Sequence, residues 1–290
     1  MSRKPSARGQ EKKRSNGRVF PMNNFPMLIL PSAKRVRALL GGTILADSRD
    51  ALVAHERGFT PVYYFPRDDV DTARLSPTNK TLISDTRGVA RLFTVAAASG
   101  RPAQVEAAWS IETPTRAAAQ LEGRFAFYFD RVDQWLEDGD EIKGSVPDPF
   151  VRIDIRRASE PVEVWLNGIV VARSTRALVV YETGLMPRYY FPLEDIEPAV
   201  VEPSRTTTTC VYKGDSRYAD VVANGRRVED GAWSYSNSTD ECVRLKDHWC
   251  FWMEKMDATI IGDVEIAKPS AEDPPVLSRY DKWAALAGTS

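Results

Sequence analysis

The chain has 290 residues, and its 43% hydrophobic and 10% aromatic content is that of a globular protein rather than of a disordered chain. The formal net charge is −1, yet the first twenty residues hold seven Lys or Arg against one Glu. The rest of the chain is therefore mildly acidic, which argues against a duplex nucleic-acid reader with a broad basic face.

Charge and a duplication divide the chain into four predicted parts. Residues 1–24 are basic, polar and aperiodic, so we predict a disordered arm whose nucleic-acid contacts are weak. We place a first repeat at residues 25–143, a second at 144–266, and a Pro-rich acidic tail at 267–290. Because only a short Gly/Pro-rich stretch separates the repeats, we expect them to touch.

The duplication is clearest at residues 36–70, which align without a gap with residues 162–196 at an offset of 126 positions. The run Tyr-Tyr-Phe-Pro occurs in both, at 63–66 and at 189–192. Self-similarity of this length indicates one structural unit that is built twice.

Each repeat opens with the pattern of a β-hairpin. Gly41-Gly42 in the first repeat and Asn167-Gly168 in the second separate two short apolar runs. Both pairs supply the positive φ angles of a type I′ turn, which matches the twist of paired strands. Further strands are predicted at 52–56, 62–65, 178–182 and 188–191, with a glycine turn before each tyrosine strand at Gly58 and Gly184.

Later in each repeat, at 125–130 and 249–254, large residues alternate with small ones, as in a core strand packed on both sides. Only residues 117–122 and 241–246 suggest a helical turn. The sequence therefore predicts an all-β protein with little helix. Each repeat would be a compact antiparallel sandwich or open barrel of seven or eight short strands.

The cysteine and histidine content bounds the chemistry. The three cysteines, Cys210, Cys242 and Cys250, form no CxxC pair, which favours a reducing cytosol over a secreted disulfide scaffold. Together with two histidines they do not provide the ligands of a structural zinc site. No apolar run approaches the roughly 18 residues that span a bilayer. We expect a soluble cytoplasmic protein that holds no metal and no cofactor.

One set of residue types recurs in both repeats: a glutamate, paired tyrosines, hydroxyls, a basic residue before a glycine, and Trp-Ser. A carboxylate, a cation and hydroxyls that converge on aromatic side chains are typical of a small-molecule pocket. The same aromatic residues can instead be core anchors, and the ion pair can be architectural. The predicted ligand-binding residues are Glu182, Tyr189, Tyr190, Thr207, Cys210, Tyr212, Lys213, Trp233, Ser234 and Tyr235 in the second repeat and Glu56, Tyr63, Tyr64, Arg87 and Trp109 in the first.

Four strings of this sequence are informative together: ALVVYETGLMPRYYFPLEDI at 177–196, TTTCVYKG at 207–214, GAWSYS at 231–236 and DPFVRID at 148–154. They resemble a family of tandem proteins built from a domain of unknown function, number 427, which is sometimes labelled nucleotidyltransferase-type. The resemblance covers roughly residues 30 to 265. It implies a compact β-tent-like fold without the zinc cysteines of related folds.

The match to the family is uneven between the repeats. The family's Cys-Pro-Tyr-Lys-Gly signature is nearly intact at residues 210–214, with Val211 in place of the proline, whereas residues 84–88 lose both the thiol and the tyrosine. The resemblance therefore favours the second repeat as the site of a pocket. Nucleotidyltransferases need clustered carboxylates around Mg²⁺, and only Asp68-Asp69 and Glu194-Asp195 approach that pattern.

Three functions stay open on this basis. The leading hypothesis is a pocket in the second repeat that binds an unidentified small molecule between Glu182 and Lys213. The second is an enzyme that uses the same pocket, with Cys210 as nucleophile or by nucleotidyl transfer. The third is a protein-interaction module. Because Lys213 would lie three residues farther along the same strand, we expect it not to activate Cys210, which would then be a weakly reactive thiol.

Overall fold

The computed structural model describes residues 27–56, 59–183 and 185–266. The predicted basic arm, the turn glycines Gly58 and Gly184, and the predicted tail lie outside these residues. In the described part, antiparallel strands dominate and the helical segments are short 3₁₀ turns. The predicted all-β class is therefore confirmed.

The strands form two equivalent sets, one in each repeat. The first set is β1 (Met27–Pro31), β2 (Val36–Leu40), β3 (Thr43–Ser48), β4 (Leu52–Glu56), β5 (Val62–Tyr64), β6 (Leu75–Ser84), β7 (Gly88–Val95), β8 (Gln104–Pro114), β9 (Phe125–Phe127), β10 (Gln134–Glu137) and β11 (Asp140–Ile142). The second set is β12 (Ile153–Arg157), β13 (Val162–Leu166), β14 (Ile169–Ser174), β15 (Leu178–Glu182), β16 (Arg188–Pro192), β17 (Val201–Cys210), β18 (Gly214–Ala223), β19 (Arg226–Ser238), β20 (His248–Phe251), β21 (Ala258–Ile261) and β22 (Val264–Glu265).

The predicted count of seven or eight strands per repeat is too low, because the described residues form eleven in each. The strands at the start and end of each repeat were not predicted from the sequence. They are short and show no clear alternation of apolar and polar residues. Pairing with strands distant in the chain defines them; β10, for example, pairs with β2. The predicted strand at 125–130 also ends early, since β9 stops at Phe127 and a 3₁₀ turn follows at Phe129–Arg131.

The two sets have the same topology. In the second repeat a seven-stranded sheet runs β12-β15-β16-β20-β19-β18-β17 and a four-stranded sheet runs β14-β13-β21-β22. The first repeat reproduces the small sheet as β3-β2-β10-β11 and the large one as β1-β4-β5 next to β9-β8-β7-β6. Phe65 and Phe125 join these two pieces through reciprocal backbone hydrogen bonds of 2.7 and 2.9 Å.

The central strands of each large sheet carry buried residues on both faces, which explains why they are apolar, whereas β6 and β17 are largely exposed. In the first repeat one face packs on the small sheet through residues such as Leu40, Phe65 and Trp135. The opposite face carries a second apolar cluster that includes Tyr64 and Trp109. The second repeat has the same two clusters. The candidate site lies on the second of these faces.

The two turn residues of the first hairpin in each repeat have positive φ angles, as predicted. Gly41 and Gly42 have φ of +55° and +73°, and Asn167 and Gly168 have φ of +47° and +77°. These pairs connect β2 to β3 and β13 to β14 as two-residue hairpins. The predicted helical turns are present as the 3₁₀ segments Arg116–Leu121 and Asp240–Leu245. None of the helices in the described residues has the length and apolar character that a membrane crossing requires.

Candidate functional site

The outer face of each large sheet holds a cavity at the same structural position. The first cavity, in the first repeat, measures about 540 Å³, and the second cavity, in the second repeat, about 230 Å³. Side chains of β4, β5, β7 and β8 line the first, and the corresponding strands β15, β16, β18 and β19 line the second. The sequence predicts the pocket in the second repeat, whereas the larger cavity lies in the first.

The paired tyrosines separate because successive residues of a strand face opposite sides of the sheet. Tyr64 packs in the cluster beside the first cavity, and Tyr63 packs in the core between the sheets. The Tyr63 hydroxyl donates to the Glu137 carboxylate, although part of Tyr63 also lines the first cavity. In the second repeat Tyr190 lines the cavity, while Tyr189 packs on the inner core.

A tyrosine–tryptophan hydrogen bond forms one wall of each cavity. The indole Nε1 of Trp109 donates to the Tyr64 hydroxyl at 3.2 Å, and Trp233 donates to Tyr190 at the same distance. Burial raises the pKa of Tyr64 above its ordinary value and that of Tyr190 well above it. Both phenols therefore stay neutral at physiological pH, so this wall can offer hydrogen bonds but no charge.

The charged end of the first cavity is a network of four side chains. Arg87 Nε lies 3.0 Å from Glu56 Oε2, and the Thr86 hydroxyl donates to Glu56 Oε1. The Ser84 hydroxyl lies 2.9 Å from that of Thr86. Since Thr86 uses its proton on Glu56, Ser84 donates to Thr86, and the carboxylate receives two partners at once. The glutamate is buried, with 11% of its side chain exposed.

A glycine after the basic residue makes this geometry possible. Gly88 and Gly214 both have φ of +95°, and a Cβ there would lie 2.1 Å from the Thr113 carbonyl oxygen and 2.0 Å from that of Asn237. Only glycine permits both the backbone angle and this close approach of neighbouring strands. The chain thus reverses in three residues, and the preceding Arg87 turns back towards β4.

The second cavity has the same charged end in a tighter form. Lys213 Nζ donates to Glu182 Oε2 at 2.6 Å, and both side chains are less than 10% exposed. Tyr235 also lines this cavity, and burial raises the pKa of its hydroxyl. The ammonium and carboxylate satisfy one another in a buried pair, which leaves little capacity for an incoming charge.

Side-chain size explains the difference in volume between the two cavities. Positions occupied by Val62 and Ile111 in the first repeat carry Arg188 and Tyr235 in the second. Arg188 also binds Glu254 through two hydrogen bonds of 2.7 and 2.6 Å, which holds it across the cavity. The side chains of the second repeat therefore leave a smaller cavity of about 230 Å³.

Several predicted site residues lie away from both cavities. Ser234 faces the inner core with no exposed area, because it alternates with Trp233 along β19. Thr207 is exposed on β17. The Tyr212 hydroxyl accepts the backbone N–H of Asp148 at 2.8 Å, so this tyrosine binds the segment between the repeats. The structure brings together only Glu182, Tyr190, Lys213, Trp233 and Tyr235 of the predicted second-repeat residues.

Cys210 does not share the cavity of Glu182 and Lys213. It is half-buried at the end of β17 and lines a separate cavity of about 280 Å³ with Lys143, Pro147 and Thr239. The prediction that Lys213 continues the strand of Cys210 is wrong. Cys210 pairs with Gly214 across a tight turn, and the turn directs Lys213 to Glu182.

One carboxylate of each pair that could suggest Mg²⁺ binding has a structural partner. Asp69 accepts the Ser48 hydroxyl at 2.6 Å, and Asp195 accepts that of Ser174 at 2.5 Å. In the described part of the chain, no three or more His, Cys, Asp or Glu side chains lie together as a metal site requires. The geometry therefore offers no support for nucleotidyl transfer.

Reading the sequence missed most of the apolar lining of the first cavity. Met27, Leu82 and Tyr128 belong to it, from three separate strands or their ends. Tyr128 could have been found, since it aligns with Trp252 of the second cavity under the repeat offset. Met27 carries no such signal, because the strand that holds it was not predicted.

The comparisons with known proteins agree with this duplicated architecture. The family described as a domain of unknown function, DUF427, matches residues 28–138 and again residues 154–262. A search of curated proteins finds no match to the chain. The two matches together span most of the sequence and correspond to the two sets of strands. The chain therefore belongs to the DUF427 family and carries two copies of its domain.

Proposed function

We propose that the protein binds a small organic molecule and that the first cavity is the binding site. The observation that carries this proposal is the pairing of a cavity of about 540 Å³ with a buried charged end at Glu56 and Arg87. Small-molecule sites are usually apolar clefts of about 300–1,000 Å³ with a few convergent polar groups. The second repeat then has a structural role and contributes at most a weaker binding site in its smaller cavity.

The rim of the first cavity adds support. Phe59 and Ile83 are 62% and 81% exposed there, and Tyr128 is 36% exposed. Large apolar side chains grouped around an opening are typical of a ligand-binding groove. Their burial by a bound molecule would contribute affinity in proportion to the apolar area removed from water.

The chain itself offers the variant that tests the proposal. Val62→Arg copies Arg188 of the second repeat, and Asp130, which aligns with Glu254, supplies a carboxylate to receive it. The substitution should narrow the first cavity as Arg188 narrows the second. We expect the neutral fluorescent probe N-phenyl-1-naphthylamine to bind the native protein with saturation, and Val62→Arg to weaken that binding at least about tenfold.

Val105→Arg is the matched control, because Val105 is 61% exposed in the same repeat and outside the cavity. It adds the same side chain and should leave probe binding unchanged. Ala54→Val, which copies Val180, narrows the first cavity less than Val62→Arg does. It keeps the proposal testable if the arginine variant does not fold. Equal probe affinity in the native protein and in both cavity variants would rule out the first cavity as the binding site.

A cytosolic location is part of the proposal. All three cysteines of the chain are free thiols. Burial raises the pKa of Cys250 and Cys242, which keeps both protonated and unreactive. Buried free cysteines are compatible with a reducing compartment.

A further inference from the structure

The guanidinium of Arg87 has more hydrogen-bond donors than the protein uses. Its side chain is 27% exposed and lines the first cavity. Its Nε–H lies near Glu56 but is not aligned for a hydrogen bond, and it is buried without a hydrogen-bond acceptor among the described residues. An arginine carries five N–H donors in a planar fork, and buried donors that lack acceptors cost free energy. Since Nε faces Glu56 and is itself buried, the donors left for a ligand in the cavity are those on the terminal nitrogens of the guanidinium.

Glu56, by contrast, is already satisfied. Thr86 donates to one carboxylate oxygen and Arg87 faces the other. The charge of the pair is therefore balanced while donor capacity remains on the arginine alone. The nearest further carboxylate that lines the cavity, Asp130, is exposed to solvent at its rim, where its field is screened.

The second repeat has a lysine where the first has Arg87. Lys213 donates to Glu182 at 2.6 Å and is buried. A lysine ammonium is a compact point charge, whereas a guanidinium can hold one carboxylate and still present a parallel pair of donors to another. The larger cavity is thus the one with arginine at this position, and the smaller cavity is the one with lysine.

The remaining walls of the first cavity are largely apolar. Met27, Leu82, Ile111 and Trp109 line it. The neutral Tyr64 hydroxyl also lines it, and the charge and hydrogen bond of Arg87 lower the pKa of that phenol against the larger effect of burial. A ligand that fits this surface needs an apolar body and one anionic end.

We propose that the first cavity binds a small amphipathic carboxylate, with its carboxylate on the Arg87 guanidinium and its apolar body against Trp109 and Ile111. This inference rests on the proposed function and specifies the ligand class of the same site.

Three probes with one apolar body separate the possibilities: 4-phenylbutyrate, 4-phenylbutan-1-ol and 4-phenylbutylamine. Their affinities for the full chain are measured by titration calorimetry. We expect the carboxylate to bind at least about tenfold more tightly than the alcohol, and the amine to bind most weakly, because hydrogen bonds to charged groups contribute more than neutral ones.

Arg87→Gln should reduce the carboxylate affinity by about tenfold or more and bring it level with that of the alcohol. Arg91→Gln is the matched control, since Arg91 lies on the same strand set but pairs with Glu112 on the surface. It should change neither affinity. The double variant Glu56→Gln/Arg87→Gln removes both charges, so loss of carboxylate preference there cannot be attributed to an unpaired buried glutamate.

The outcomes distinguish the two proposals. If the alcohol or the amine binds as tightly as the carboxylate, or if Arg87→Gln keeps the carboxylate preference, the ligand class is wrong while small-molecule binding stands. If none of the three binds but N-phenyl-1-naphthylamine does, the ligand class is again wrong. If none of the four probes binds the native protein, both proposals fall.

Discussion

At the scale of single residues, the duplication preserves a buried hydroxyl that no cavity uses. Ser48 is 2% exposed, donates to Asp69 and accepts the backbone N–H of Asp50 at 2.9 Å. Ser174 repeats this arrangement with Asp195 and the N–H of Arg176, also at 2.9 Å. Each serine ties the turn after its strand to the 3₁₀ segment that follows the tyrosine strand. The carboxylates next to the strand-ending prolines are thus structural.

The first prediction concerns this pair of serines. Ser48→Ala and Ser174→Ala should each lower the free energy of unfolding by about 1–2 kcal/mol, because each removes the partner of a backbone donor and of one carboxylate oxygen. Urea denaturation followed by circular dichroism measures the change. Ser76→Ala is the control, since Ser76 is exposed on β6 and should cost less than about 0.5 kcal/mol. Equal stabilities for all three variants would contradict the proposed role.

At the scale of elements, glycine has two different roles in the same repeat. Gly168 has φ of +77° in the β13–β14 turn and has open space where a Cβ would be. Gly214 has φ of +95° at the start of β18, and a Cβ there would meet the backbone of Asn237 on β19. Gly168 is needed only for its positive φ angle. Gly214 also lets two strands approach and orients the lysine before it.

The second prediction compares these two glycines. Gly168→Ala should cost about 1–2 kcal/mol of unfolding free energy, which is the strain of a left-handed alanine. Gly214→Ala should cost at least about 3 kcal/mol, because β19 must also move. Both are measured by denaturation, with the yield of soluble protein as a second readout. A similar cost for the two substitutions would mean that the close approach of β18 and β19 is relaxed at little expense.

At the scale of the whole molecule, the segment between β11 and β12 contacts both repeats. Its residues Gly144, Ser145 and Val146 line the first cavity. Farther along, the Asp148 carboxylate lies 3.7 Å from the His55 Nδ1 atom, while the Asp148 backbone N–H donates to Tyr212 of the second repeat. The two repeats therefore meet through this segment, and the contact adjoins the site.

The third prediction follows from the buried His55. Burial lowers its pKa below the ordinary value of 6.5, and Asp148 opposes that shift. The unfolded chain therefore takes up a proton below pH 6.5 before the folded protein does, so stability should fall as the pH drops from 7.5 to 5.5. One proton corresponds to a slope of at most about 1.4 kcal/mol per pH unit.

The variant His55→Gln should flatten this slope in denaturation curves recorded across the same pH range. Tyr212→Phe is its control, because it removes the hydroxyl that accepts the Asp148 N–H yet leaves the histidine in place. That variant should lose about 1 kcal/mol at every pH and keep the slope. An unchanged slope in His55→Gln would assign the pH dependence to other groups.

Local chemistry made much of the fold predictable from the sequence. The hairpins at Gly41-Gly42 and Asn167-Gly168 follow from positive φ angles that few other residues adopt, and strand alternation follows from a period of two. The duplication let each assignment be checked against its counterpart. The same alternation could have separated Tyr63 from Tyr64 and Trp233 from Ser234, because neighbours on a strand face opposite sides of its sheet.

Only the tertiary structure decided where the cavity is. Its volume depends on Val62 and Ile111, which lie far apart in the chain and meet only because the sheets of β5 and β8 are joined side by side. The family signature at Cys210 indicated the second repeat, but Arg188 and Tyr235 reduce the cavity volume there. The sequence by itself determined two all-β repeats with a glutamate and a cation in each. Which repeat keeps room for a ligand was decided by packing, because empty volume is a property of side chains brought together from distant strands.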